Sequence, residues 1–116
     1  MDAKPQRVEI FETVEGKCPF KAWLRDLRDQ RARQAIRARI ARVRLGNFGD
    51  SSPVGDGVIE LRIHYGPGYR VYLGRDGDAL VILLVGGDKS TQERDILSAK
   101  DYWKAYQESK DADHEL

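Results

Sequence analysis

Four side chains that can contact or activate a phosphate flank a predicted β-hairpin and the strand after it: Arg62, Arg70, Lys89 and His64. Cations stabilise the charge of a pentavalent phosphate, and a histidine with an ordinary pKa near ~6.5 suits proton transfer. Because side chains alternate along a strand, Arg62 and Arg70 on adjacent strands are expected to project from one face. Lys89 follows the last strand and is expected near the same end of the sheet, whereas His64 lies so close to the turn that its ring can also point away.

The same residue types allow an ordinary structural interpretation. Charged side chains mostly remain exposed for solubility, so Arg62 and Arg70 can lie at a sheet edge or pair with Glu60 or Asp88. Lys89 can serve only the start of the next helix, where Asp88 or Ser90 would accept hydrogen bonds from free backbone N–H groups. The residue types alone leave both interpretations open.

Positive charge is concentrated in residues 21–49, which hold nine Lys or Arg against two Asp in a chain whose net charge is only +1. Such a segment attracts polyanions. Arg37 and Arg44, on the solvent side of a predicted helix, are candidate RNA-binding residues, and Tyr69 beside a Gly-Pro-Gly turn is a candidate for stacking on a base. The alternatives are a solvated helix face, a seat for an acidic protein segment, and a core position for Tyr69.

Composition places limits on the class of protein. With 41% hydrophobic and 34% charged residues, the 116-residue chain is expected to form a single globular domain over residues 1–116, with a frayed tail at 110–116. Neither a membrane-spanning run nor a signal peptide is evident, which predicts a cytoplasmic protein without a membrane partner. One cysteine, Cys18, and two histidines, His64 and His114, do not make a zinc-ligand set, so no metal or other cofactor is expected.

Periodicity and turn residues predict an α+β fold. The elements in chain order are a strand at 7–14, helices at 19–29 and 32–46, a loop at 47–57, a three-stranded antiparallel meander with strands at 58–64, 69–73 and 79–85, and a C-terminal helix from Ser90. The apolar run at 79–85 is typical of a central strand covered on both faces. Ser90 and Glu93 form a capping-box pattern, and Gly46 suits the end of the second helix.

Three segments resemble the phage-derived, HigB-like "addiction module killer protein" branch of the RelE/ParE superfamily. They are Glu-Leu-Arg-Ile at 60–63, Gly-Pro-Gly-Tyr-Arg-Val-Tyr at 66–72 and Gly-Gly-Asp-Lys-Ser-Thr-Gln at 86–92. The resemblance covers nearly the whole chain. It implies a RelE-like fold and a toxin of a toxin–antitoxin operon, neutralised by a HigA-like helix-turn-helix antitoxin. RelE-like members cut messenger RNA on the ribosome without a metal.

The resemblance also implies residue roles. RelE-type enzymes carry an arginine directly after the Gly-Tyr of this hairpin, the place that Arg70 occupies, so Arg70 is expected to contact the transition-state phosphate. Basic residues before the turn and after the last strand correspond more loosely to Arg62 and Lys89. A tyrosine common in the segment after the last strand is absent from residues 90–97, which leaves the acid for the 5′-oxygen leaving group unassigned.

Two other activities remain open at the level of sequence, because fold does not fix function. ParE-like relatives share the architecture and poison DNA gyrase, and a copy of the fold without any catalytic activity would be an interaction module. For a gyrase poison the sheet arginines would be dispensable and the surfaces for protein contact essential.

Overall fold

The computed structural model describes residues 3–114. Its helices and strands are β1 (Arg7–Ile10), α1 (Pro19–Asp26), α2 (Gln30–Arg44), β2 (Ser51–Gly55), β3 (Val58–Ile63), β4 (Tyr69–Asp76), β5 (Leu80–Gly87) and α3 (Gln92–His114), with a single 3-10 turn at Lys89–Thr91 before α3. The predicted α+β class is confirmed.

The five strands form one mixed sheet in the order β1-β5-β4-β3-β2. β1 pairs in parallel with β5, and every other neighbouring pair is antiparallel. β5 is therefore an inner strand, and its residues from Val81 to Leu84 are buried, as the continuous apolar run predicts.

Helices cover both faces of this sheet and make two separate cores. α1 and α2 pack against the face that carries Leu61 and Val71. α3 packs through Trp103 against the face that carries Tyr72 and Leu84. Because side chains alternate, the even-numbered residues of β3 and of the first part of β4 point towards α3. This parity decides which of the candidate residues can meet.

The predicted loop at 47–57 is wrong in part, because the structure has a fifth strand there. β2 pairs antiparallel with β3, so the antiparallel part of the sheet contains four strands. Its sequence, Ser-Ser-Pro-Val-Gly, has weak strand propensity, but an edge strand needs backbone pairing on one side only and tolerates Pro53. The strand was therefore not recognisable from the sequence, because its residues usually mark a turn.

The second correction concerns the end of β5. The strand continues through Gly86 and Gly87 instead of ending at Val85. A side-chain carbon on Gly86 would lie 2.2 Å from the Trp23 ring, and one on Gly87 would lie 1.8 Å from Asp95 Oδ2. The two glycines allow α1 and α3 to approach opposite faces of the strand, which is a packing role and not a turn.

The helix ends agree with the sequence in one case and differ in the other. Gly46 follows α2 with a φ of +91°, the left-handed conformation expected there. Before α3, however, the capping residue is Asp88, whose carboxylate accepts from the Ser90 backbone N–H at 2.8 Å. The predicted Ser90 capping box is wrong, because the 3-10 turn moves the cap two residues towards the N-terminus.

α3 extends to His114, so residues 110–114 of the predicted tail are helical and residues 115–116 lie outside the described part of the chain. The Lys110 ammonium pairs with the Asp76 carboxylate. Across residues 3–114, no helix has the length and apolar character needed to cross a membrane.

Candidate functional site

Arg62 and Arg70 are direct partners in the β3–β4 pairing and therefore lie side by side on the face that α3 covers. Both guanidinium groups approach one oxygen of Glu60, with Arg62 Nη1 at 3.0 Å and Arg70 Nε at 3.7 Å from Oε1. The predicted convergence of the two arginines on one sheet face is confirmed. The residue types alone could not show that the carboxylate of Glu60 is buried between them.

Glu60 is the centre of this site, because its carboxylate contacts both arginines. Only 2% of its surface is exposed. Its second oxygen, Oε2, accepts hydrogen bonds from Tyr72 Oη at 3.1 Å and from Gln92 Nε2 at 2.8 Å. Burial and the adjacent carboxylate raise the pKa of Tyr72 well above its ordinary value, so the phenol stays protonated and donates. The set below is called the arginine–glutamate cluster: Glu60, Arg62, Arg70, Tyr72 and Gln92.

Every guanidinium nitrogen of Arg62 has a hydrogen-bond partner at or next to the edge strand β2. Its Nε and Nη2 donate to Asp50 Oδ1 at 3.0 and 2.8 Å, and Nη1 also donates to Ser52 Oγ at 2.9 Å. The hydrogen bonds from Arg62 and then His64 lower the pKa of Asp50 to about 2. For Arg62, the structural interpretation left open by the sequence is therefore the better supported one.

Arg70 is less fully paired. Its Nη1 donates to the Gly68 carbonyl at 2.6 Å, while Nε has no hydrogen-bond partner among residues 3–114. The side chain is 13% exposed, so it is neither buried in an apolar core nor free at the surface. Nε itself is buried on the side of Glu60, so only the exposed 13% of the side chain is open to an incoming anion.

Lys89 lies beside Arg70, as predicted. A side-chain carbon placed on Gly68 would be 3.1 Å from Arg70 Nη1 and 3.7 Å from Lys89 Cβ, so both residues border the same small space. Lys89 is exposed, and its neighbour Asp88 caps the 3-10 turn. The capping role therefore belongs to Asp88 and leaves the Lys89 ammonium open to solvent.

His64 stands at the end of β3, next to the hairpin turn, and 77% of its side chain is exposed. Its Nε2 is 2.5 Å from Asp50 Oδ2, the same carboxylate that holds Arg62. An imidazole held by a carboxylate has a fixed orientation, which general acid–base chemistry needs. The ring points to the β2 edge, on the side of Arg62.

The predicted RNA-binding residues do not join the cluster. Tyr69 is odd-numbered, lies on the α1–α2 face with 9% of its surface exposed, and packs edge-to-face against Trp23 at 6.1 Å. It is part of the core, and its ring offers no stacking platform beside Arg70. Arg37 and Arg44 are exposed on α2, across the sheet from Arg70.

One arginine of α2, Arg39, does not lie on the solvent-exposed face of the helix. Arg39 is 6% exposed and donates to the backbone carbonyls of Phe48 and Asp50 at 2.5 and 2.9 Å. It thereby fixes the segment that leads into β2. Helical spacing could have separated it from its neighbours, because residue 39 falls between the buried positions Ile36 and Val43.

Three polar residues around the arginines were missed as site residues: Asp50, which accepts from Arg62, Gln92, which donates to Glu60, and the buried Asp95. Asp95 is 6% exposed and lies over Gly87, the residue that pairs with Arg70 in the sheet. Its position depends on the close approach of α3, for which the glycine pair at 86–87 was the only signal. Within residues 3–114, no group of three or more His, Cys, Asp or Glu side chains is arranged to hold a metal ion.

The fold and the cluster define a class: an α+β domain with a five-stranded mixed sheet, helices on both faces and a buried carboxylate between two sheet arginines. No family model matches the chain. An uncharacterized protein of Haemophilus influenzae (strain ATCC 51907 / DSM 11121 / KW20 / Rd) is 57% identical over 87 residues, which are 75% of this chain and 88% of that protein. The chain belongs to the same family as this protein.

Proposed function

We propose that this protein is a RelE-like toxin of a type II toxin–antitoxin system. Its activity is metal-independent cleavage of messenger RNA on the translating ribosome, and a HigA-like helix-turn-helix antitoxin neutralises it. The observation that carries the proposal is the position of Arg70, which is 13% exposed and oriented by Glu60 and the Gly68 carbonyl, beside exposed Lys89 at one end of the sheet. The sequence resemblance in the three motif segments supports the same assignment.

The proposed reaction places the scissile phosphate between Arg70 and Lys89. The 2′-hydroxyl loses its proton as its oxygen attacks the phosphorus, the bond from phosphorus to the 5′-oxygen breaks, and a proton delivered to that oxygen completes a 2′,3′-cyclic phosphate and a free 5′-hydroxyl. Negative charge grows on the phosphate oxygens in the transition state, where the two neighbouring cations stabilise it. His64, oriented by Asp50, is the candidate for proton transfer.

Arg62 and Glu60 act through Arg70 in this proposal. Arg62 already has two carboxylate partners, so it neutralises Glu60 and keeps that carboxylate in place. Glu60 in turn lies 3.7 Å from Arg70 Nε and fixes the guanidinium orientation. Both are positioning residues.

The test is growth arrest after induction of the wild type, Arg70→Ala and Arg25→Ala. Loss of one donor to a transition-state oxyanion costs about 10²- to 10³-fold in rate, so Arg70→Ala should abolish the arrest. Arg25 is an exposed α1 cation paired with Asp26 and serves as the matched control. Glu60 keeps Arg62, Tyr72 and Gln92 without Arg70, so the variant should fold, and its circular dichroism spectrum checks this.

Full growth arrest by a folded Arg70→Ala protein would contradict the proposal. It would favour the second candidate, a protein that stalls DNA gyrase or another partner without chemistry of its own. The saturation of Arg62 by Asp50 and Glu60 is the observation on that side, because a purely structural cluster would be built in the same way. DNA damage without cut transcripts is the expected signature of a gyrase poison.

A further inference from the structure

A groove of about 410 Å³ lies between α2 and the end of β3. β2 begins at Ser51, opposite Leu61, so the end of β3 and the residues after it extend past the start of the edge strand. Ala35 and Ala38 line the α2 side, and their small side chains leave the space open. The volume falls within the range of about 300–1,000 Å³ typical of ligand pockets. This space is called the edge groove.

The edge groove carries more positive than negative charge. Arg39, Arg42 and Arg62 line it together with His64, and the acid among its lining residues is Asp50. Asp50 is already bound by Arg62 and His64. Within the described chain Arg42 makes no ion pair, and it is exposed. The groove therefore has cationic groups in excess of its own carboxylate.

Arg39 forms the buried part of the groove and is satisfied there only in part, since Nε and Nη2 donate to backbone carbonyls and Nη1 does not. Its surface is 6% exposed, and its Nη1 has no hydrogen-bond acceptor among residues 3–114. Burial and the nearby Arg42 lower the pKa of Arg39, and Asp50 opposes this shift. A buried charged donor without an acceptor is costly, so an anion at this place would stabilise the protein.

The geometry points to the edge groove as a binding site for one nucleotide of single-stranded RNA that flanks the cut. Its phosphate is held by Arg42 over the positive field of Arg39, and its base lies on the apolar floor of Ala35 and Ala38. The inference deepens the proposed function and rests on it. An RNA strand is favoured over an acidic protein segment because Arg62 lines the groove and also contacts Glu60, so the groove is continuous with the arginine–glutamate cluster.

The test measures fluorescence anisotropy of a labelled 2′-O-methyl RNA hexanucleotide, whose blocked 2′-oxygen prevents cleavage. Arg42→Glu should raise the Kd by about tenfold or more, since a lost charge-assisted contact has this size. It should also flatten the salt dependence of log Kd by about 0.7, the value for one phosphate contact on a single strand. Ala38→Leu fills the groove without a charge change and should weaken binding as well.

The matched control is Arg25→Glu, which makes the same charge change on an exposed part of α1 and should leave the Kd unchanged. Equal Kd values for Arg42→Glu and Arg25→Glu, or no binding by the wild type, would overturn the inference. Displacement of the oligonucleotide by hexaglutamate at equal concentration would also overturn it, in favour of an acidic protein segment. Weaker binding by Arg42→Glu together with full growth arrest by Arg70→Ala would support the groove and reject the nuclease.

Discussion

Replacing Glu60 by alanine tests how firmly the buried carboxylate holds the cluster. Tyr72 and Gln92 would lose their acceptor, and Arg70 would lose its counter-charge, whereas Arg62 would keep Asp50 and Ser52. A buried donor left unpaired costs about 1–3 kcal/mol, and breaking a buried ion pair costs about 3–5 kcal/mol. Since Arg62 retains partners, we expect the free energy of unfolding to fall by about 3–5 kcal/mol.

The assay is urea unfolding at pH 7, followed by the fluorescence of Trp23 and Trp103, which lie in the two different cores. Glu108→Ala removes an exposed carboxylate from α3 and should change the free energy of unfolding by no more than about 0.5 kcal/mol. If Glu60→Ala does not fold, Glu60→Gln keeps an acceptor oxygen and should lose about 1–2 kcal/mol. A Glu60→Ala protein as stable as Glu108→Ala would refute the role given to this carboxylate.

Two further predictions concern stability. Asp50 has a folded-state pKa of about 2 against an ordinary 3.8, so its contribution to stability is present above about pH 4 and is lost as the pH falls towards 2. Asp50→Asn should therefore reduce the change of the urea midpoint with pH over that range. An unchanged pH dependence of the midpoint would contradict this prediction. A side-chain carbon on Gly74 would lie 2.3 Å from Trp103 Cε3. Gly74→Ala should therefore lower the free energy of unfolding by about 1–3 kcal/mol and alter the near-ultraviolet circular dichroism of Trp103. A variant with both properties unchanged would contradict the close packing of α3 against β4.

The sequence predicts the parts of the fold that follow from periodicity. The apolar run at 79–85 identified an inner strand, and the equal parity of Arg62 and Arg70 around a short turn placed both on one face. β2 could not be predicted, because its residues are turn formers and its strand character comes from pairing with β3. Tyr69 shows the limit of a local argument, since the same parity that groups Arg70 with Arg62 turns Tyr69 into the opposite core.

The candidate site is less accessible to sequence reasoning because its partners are distant in the chain. Asp50 and Gln92 reach Arg62 and Glu60 from segments 12 and 32 residues away, and no local spacing connects them. The burial of Arg39 likewise depends on the segment that leads into β2, whose Phe48 and Asp50 carbonyls accept its hydrogen bonds. In each case the charge was visible in the sequence, but its partner depended on tertiary packing.

The measurement that tests the central claim most directly is the chemistry of RNA ends in cells that express the protein. Transcripts from wild-type cells should carry new 2′,3′-cyclic phosphate ends at cuts aligned with codons, and cells with folded Arg70→Ala protein should lack them. Cuts that are equally abundant in both, or growth arrest without such ends, would contradict a nuclease site built around Arg70.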